Sequence, residues 1–217
     1  MKDREDDKIE KRKKRTPRKV TPKYLDNAAL YYLSRYATSA ENLKRVMMRK
    51  IHRSAKHHGT DVEDGAVLLE AMIARYLDSG LLDDGAYAKT RAASLHRRGN
   101  SARVITGKLR QKGVGNDDIT DALHALNEED PDPELAAAVM LAKRRRLGPF
   151  ATKEPTRGED GPRGSGGVPR NPQGPDRETI KDTREKHLAA LARAGFSYDI
   201  ARRVIDADSE DDLEHPS

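Results

Sequence analysis

Between Ala86 and Asn116 the chain holds no Asp or Glu, yet it carries Lys89, Arg91, Arg97, Arg98, Arg103, Lys108, Arg110 and Lys112. Cations at this density, with no acid between them, suit the binding of phosphates or of an acidic groove. On helices, residues seven apart share a face, so Arg91 pairs with Arg98 and Arg103 with Arg110. Runs of charge are usually solvated helix surface, and here the missing acids favour binding. Lys143-Arg144-Arg145-Arg146 is a second candidate. The residues expected to meet a partner or nucleic acid are therefore Arg91, Arg97, Arg98, Arg103, Lys108, Arg110, Lys112, Arg144, Arg145 and Arg146.

Other chemistries find little support. With no Cys there is no disulfide, thiolate nucleophile or Cys-based zinc site. His52, His57 and His58 cluster, but Asp61 alone is near enough to complete a metal site, so none is expected. Asp83-Asp84 resembles a catalytic pair, yet two acids at a helix start serve better as caps for free N–H groups. Tyr31 and Tyr36 could stack on bases, although packing is the commoner fate. No glycine loop precedes a strand, and no nucleophile lies near a base. The expectation is a protein without catalysis, cofactor, metal or small-molecule substrate.

The elements that position these residues read as helices. Thr21-Pro22 is a start signal, followed by Leu25, Ala28, Ala29, Tyr32 and Leu33 at helical period. Ser39 caps a second helix through Leu43, Val46, Met47 and Ile51, which ends at His57-His58-Gly59. Asp64 is expected to start a third, with Val67, Leu68, Met72, Ile73 and Tyr76-Leu77 inward and Gly80 as its stop. The same order returns: Asp83-Asp84 with Tyr87, Ala88 and Leu95; Ser101 to Gly113; and Asp117 or Asp118 capping a helix through Ile119, Ala122, Leu123 and Leu126. Asp132-Pro133 opens another, with Leu135, Ala138, Val139 and Leu141-Ala142. After Gly148-Pro149 a Gly- and Pro-rich stretch interrupts the pattern, which resumes near Ile180 and runs to Gly195. Ile200, Val204 and Ile205 belong to the last helix.

One motif recurs within this order. Leucine, a basic segment, a hydroxyl residue at a turn and two apolar positions appear as Leu33, Ser39, Leu43 and Met47, and again as Leu95, Ser101, Ile105 and Leu109. A looser third copy is Thr183, His187 and Leu191. A period of about fifty to sixty residues reads as small helical units stacked in a row, a shape suited to an elongated partner.

Composition agrees with small cores. Leu, Ile, Val and Phe together make about 18% of the chain, below the roughly 20% at which disorder is expected. The deficit sits in residues 1–23, 151–176 and 206–217. Residues 1–23 carry 11 Lys and Arg against 5 Asp and Glu, whereas the remainder has 31 of each sign, so the net +6 is regional. No stretch approaches the roughly 18 apolar residues of a membrane span, and the basic N-terminus lacks the apolar run of a signal peptide. A monomeric cytoplasmic protein is expected.

Ala29-Leu30-Tyr31-Tyr32-Leu33-Ser34-Arg35-Tyr36, Tyr76 to Asp84 followed by Tyr87-Ala88, Lys108 to Val114, Leu147 to Phe150 and Leu191 to Tyr198 together resemble the RecX family of regulators of the RecA recombinase. The likeness covers about residues 24–150 and 178–206. It implies an all-α fold of three tandem three-helix repeats in an elongated, curved array. The corresponding segments are a basic disordered arm (1–20), repeat 1 (21–82), repeat 2 (83–130), repeat 3 (131–206) interrupted by a disordered 148–176 insertion, and an acidic tail (207–217). It also implies binding in the groove of a RecA filament on single-stranded DNA, restraining its growth, ATP hydrolysis, strand exchange and co-protease signal in the SOS response, with contacts to DNA itself. The alternative reading is a general basic nucleic-acid-binding helical protein without a recombinase partner.

Overall fold

A computed structural model of the chain describes residues 16–151 and 177–214. The described residues are helical, with no strand among them. Two compact units divide the chain, one ending at Leu82 and one beginning at Asp83.

The first unit contains α1 (Pro22–Leu33), α2 (Ala40–His58) and α3 (Val62–Asp78). Thr21 caps α1 by accepting the Tyr24 N–H, and Pro22 sits where no intrahelical donor is needed. The buried Ser39 Oγ accepts from Asn42 N–H to start α2, and Gly59 ends that helix at φ 65°. Between the helices lie Leu25, Ala29, Leu43, Met47, Ile51, Leu69, Met72, Ile73 and Tyr76. At Gly65 a Cβ would stand 2.6 Å from Ile51 Cγ2, so α3 crosses α2 at a distance only glycine permits.

Two expectations for α3 fail. Its cap is Asp61, whose carboxylate accepts the Glu63 N–H at 2.7 Å, and Asp64 lies in the first turn. Val67, Leu68 and Leu77 are exposed, Val67 by 69%. Gly65, Leu69, Met72, Ile73 and Tyr76 form the buried stripe, and their spacing of three and four residues turns Val67 and Leu68 outward.

The second unit contains two helix groups. In the first, α4 (Asp84–His96), α5 (Ala102–Gln111) and α6 (Asn116–Glu129) enclose Ala88, Ala92, Leu95, Ile105, Leu109, Val114, Ile119, Ala122 and Leu126. Asp83 caps α4 and Ser101 caps α5. Gly115, not Asp117 or Asp118, occupies the cap position of α6; both acids fall in its first turn, where they still favour the helix dipole.

The second group comprises α7 (Pro133–Arg145), a 3-10 turn (Gly148–Phe150), α8 (Arg177–Arg193), α9 (Tyr198–Ile205) and α10 (Asp211–Glu214). Its core holds Leu135, Ala138, Leu141, Leu191, Phe196, Val204, Ile205 and Leu213. Thr183 lies inside α8, so the third motif copy lacks the capping hydroxyl of the others; Ser197 supplies a cap one helix later. The tail is not wholly solvated, because α10 buries Leu213. The disorder expected of the arm and insertion falls largely on residues 1–15 and 152–176, which lie outside the described residues, whereas of the tail only 215–217 do.

The two helix groups of this unit are joined by defined contacts. Ser101 Oγ accepts the Val104 N–H at 3.4 Å and donates to the Ala194 carbonyl at 2.7 Å. Gly99, at φ 69°, lies so near α7 that a Cβ would stand 2.7 Å from Leu141 N and 2.9 Å from Ala137 O. His96 Nε2 donates to the Pro133 carbonyl at 2.6 Å.

Candidate interaction surface

The ten candidate cations all belong to the second unit, and most sit at helix C-termini. Arg97 is the cap residue after α4, with Arg98 just beyond it. Arg110 and Lys112 stand in the last turn and at the cap of α5. Arg144 and Arg145 end α7, and Arg146 follows in the left-handed conformation, φ 56°. Unpaired carbonyls give each helix end a partial negative charge that offsets such cations by about 0.3–1 kcal/mol each. This explains how the fold tolerates the density of positive charge.

The structure brings some of these residues together. Arg144 Nη1 donates to the Arg98 carbonyl at 2.5 Å, setting the end of α7 beside the turn that carries Arg97 and Arg98. Lys108 Nζ donates to Asn100 Oδ1 at 2.7 Å, and Asn100 Nδ2 donates to the Leu95 carbonyl at 2.7 Å. Arg110 Nε donates to Asn116 Oδ1 at 3.3 Å. These partners are neutral, so they orient the cations without cancelling charge. Arg103 and Arg110 both project exposed from α5, as the spacing predicts. Arg91 and Arg98 do not share a helical face, because α4 stops at His96. Arg91 is half-buried.

Elsewhere in the unit, carboxylates do pair with bases. Arg184 grips Asp206 with two hydrogen bonds of 2.6 Å, which hold the Asp206 carboxyl below its ordinary range. Arg203 meets Asp132 at 2.9 Å, and Lys143 pairs with Glu210. Lys143 is therefore the neutralised member of its basic run. Among the described residues, Arg97, Arg98, Arg103, Lys108, Arg110, Arg144, Arg145 and Arg146 have no carboxylate partner.

Of the remaining candidates, His58, Asp83 and His187 take structural roles, whereas Tyr31 and Tyr36 are exposed rather than packed in the core. His58 Nε2 donates to the Pro17 carbonyl at 2.7 Å, and among the described residues no cluster is arranged to hold a metal. Asp83 accepts the Ala86 N–H as a cap. His187 is half-buried; its Nδ1 accepts the Gly148 N–H at 3.1 Å, and burial lowers its pKa. Tyr36 leans on Tyr32, with ring centroids 4.9 Å apart. Among the described residues no helix is long and apolar enough to cross a membrane.

Four cations of the first unit lie outside the ten candidates, two of them in the basic arm and two in helices. Arg18, Lys19, Lys23 and Lys50 line an open groove with Tyr24 and Tyr31. The legible signal was the seven-residue interval between Tyr24 and Tyr31 on one helix beside Lys23. Lys50, on another helix, joins them only through the fold.

A family model described as the RecX second three-helix domain matches residues 83–123. A regulatory protein RecX of Myxococcus xanthus is 42% identical over 205 residues, covering 93% of this chain and 94% of the relative. The chain belongs to the RecX family. A second RecX, from Agrobacterium fabrum, is 29% identical over 85% of this chain and 83% of its own. The crystal structure of RecX from Lactobacillus salivarius has a TM-score of 0.53 at 20% identity, covering 85% of this chain and 94% of that one. At that identity the likeness is one of fold. The segment matched by the RecX second-domain model contains Arg91, Arg97, Arg98, Arg103, Lys108, Arg110 and Lys112.

Proposed function

We propose that the chain binds the RecA filament on single-stranded DNA and restrains it, limiting filament growth, ATP hydrolysis, strand exchange and SOS co-protease activity. The observation that carries this reading is the cationic stretch of α4 and α5, whose exposed bases have no carboxylate partner among the described residues and which falls in the matched RecX domain. Such a surface suits an anionic filament, and charge attraction speeds encounter. The protein acts by binding alone, as a cytoplasmic monomer, through repeats spanning 21–82, 83–130 and 131–206.

The test is the DNA-dependent ATPase of RecA filaments, with this protein far below the RecA concentration. A strong fall that persists with excess DNA is the expected result. A general nucleic-acid-binding protein, the reading favoured by the Lys11–Arg15 basic block, lowers activity only when abundant enough to coat the DNA. That outcome replaces the proposal.

A further inference from the structure

We propose that the first unit carries a second, separate binding site: a groove between residues 18–24, α1 and α2 that takes a nucleotide unit of single-stranded nucleic acid, its phosphate among Arg18, Lys19, Lys23 and Lys50 and its base on Tyr31.

The groove measures about 570 Å³, within the roughly 300–1,000 Å³ of small-ligand sites. No acid lines it. The nearest acid in sequence, Asp26, is occupied by Arg75 at 2.5 Å and by the Tyr76 hydroxyl at 3.0 Å. None of the four lining cations has an ion pair among the described residues. Four like charges facing one space repel one another, and an anion between them relieves that repulsion.

The positions of these cations are built in. Val20 N–H donates to the buried Ser54 Oγ at 3.1 Å, and His58 Nε2 donates to the Pro17 carbonyl at 2.7 Å. These two bonds tie residues 17–20 to α2, so Arg18 and Lys19 are held there rather than trailing from the chain. Lys23, Tyr24, Asn27 and Tyr31 recur at helical spacing along α1.

The aromatic component decides the ligand class. Tyr31 is 61% exposed, and the Arg35 guanidinium stands 4.6 Å from its ring centroid. That cation steadies the ring from one side and leaves its other face for a base. Base–aromatic stacking and phosphate contact together are how single strands are held without sequence preference. An acidic peptide needs the cations but gives an exposed ring nothing to stack on.

The experiment uses the full chain with labelled oligo-dT, an abasic strand of equal length, and dTMP. Tyr31→Ala is expected to weaken oligo-dT binding about fivefold or more, while Tyr31→Phe retains it. The abasic strand should be indifferent to Tyr31→Ala. Lys23→Ala/Lys50→Ala should flatten the dependence of log affinity on log salt by about 1.4, near 0.7 per lost phosphate contact on a single strand. Strands carrying 5-iodouracil should photo-crosslink to the peptide containing Tyr24 and Tyr31. Unchanged oligo-dT affinity in Tyr31→Ala, with crosslinks elsewhere, overturns the site. If dTMP competes as well as oligo-dT, the groove serves free nucleotides and the strand assignment is overturned. None of these readouts requires RecA, so they stand or fall apart from the preceding proposal.

Discussion

Ser101 performs two tasks with one hydroxyl. It caps α5 through the Val104 N–H and donates to the Ala194 carbonyl 93 residues away. Ser197 caps α9 by accepting the Ile200 N–H at 3.3 Å, and it is exposed. Losing a cap costs about 1 kcal/mol, and leaving the half-buried Ala194 carbonyl without its partner adds about 1 kcal/mol. Ser101→Ala should therefore destabilise by about 2 kcal/mol, and Ser197→Ala by about half as much or less. Thermal melts of the two variants make the comparison. His187 adds a pH dependence. Burial lowers its pKa from 6.5, and its Nδ1 already accepts the Gly148 N–H. Below pH 6.5 the unfolded chain thus binds more protons at this residue than the folded one does, and its contribution to stability falls as pH drops. Asp206 does not confuse this window, since its carboxyl is held below 3.8 and its contribution is lost only at lower pH still. Replacing His187 with Leu, matching Leu43 and Ile105 in the other repeats, should flatten urea midpoints measured between about pH 7.5 and about pH 5.5. A slope unchanged by the substitution removes His187 as its cause.

At the scale of elements, two glycines separate backbone conformation from close approach. Gly80 and Gly99 both have positive φ, 71° and 69°. A Cβ at Gly80 meets nothing within 4 Å, whereas at Gly99 it meets the backbone of α7. Gly80→Ala should then cost about 1–2 kcal/mol of left-handed strain. Gly99→Ala carries the same strain and must also push α7 away, for a total of about 3 kcal/mol or more. Chemical denaturation checks the difference; equal costs would mean α7 yields freely. Helix starts were legible where one capping residue precedes an apolar period, as at Ser39, Ser101 and Asp132. They were not where acids crowd together. Asp61, Glu63 and Asp64 all suit a helix start, and only the chain path selects Asp61. Gly115 caps α6 without any side-chain bond, which leaves no sequence signal at all. Val67 and Leu68 look like core by residue type, but the stripe through Gly65, Leu69, Met72, Ile73 and Tyr76 assigns them to the surface.

For the whole molecule, the sequence showed where charge accumulates but not which charges are spent. The basic stretch from Ala86 to Asn116 was legible because its lack of acids is local. The partners of Lys143, Arg184 and Arg203 were not, because Glu210, Asp206 and Asp132 reach them only through the packing of α7 to α10. That distinction yields a paired prediction. Arg97 and Arg98 are exposed and have no carboxylate partner among the described residues. The contact made by the Arg98 carbonyl with Arg144 also survives loss of the side chain. Arg97→Ala/Arg98→Ala should leave the melting temperature nearly unchanged and reduce the salt slope of filament binding by about 1.4–1.8 if both residues meet phosphates. Arg184→Ala/Arg203→Ala removes the same formal charge but breaks pairs with Asp206 and Asp132, leaving Asp206 only its weaker contact with Arg202 and Asp132 only its capping bond to the Leu135 N–H. It should lower stability and alter the salt slope little. Binding titrations at several salt concentrations, beside melts of both double variants, separate the two effects. Equal slopes in the two variants would show that net charge governs binding and that no particular face does.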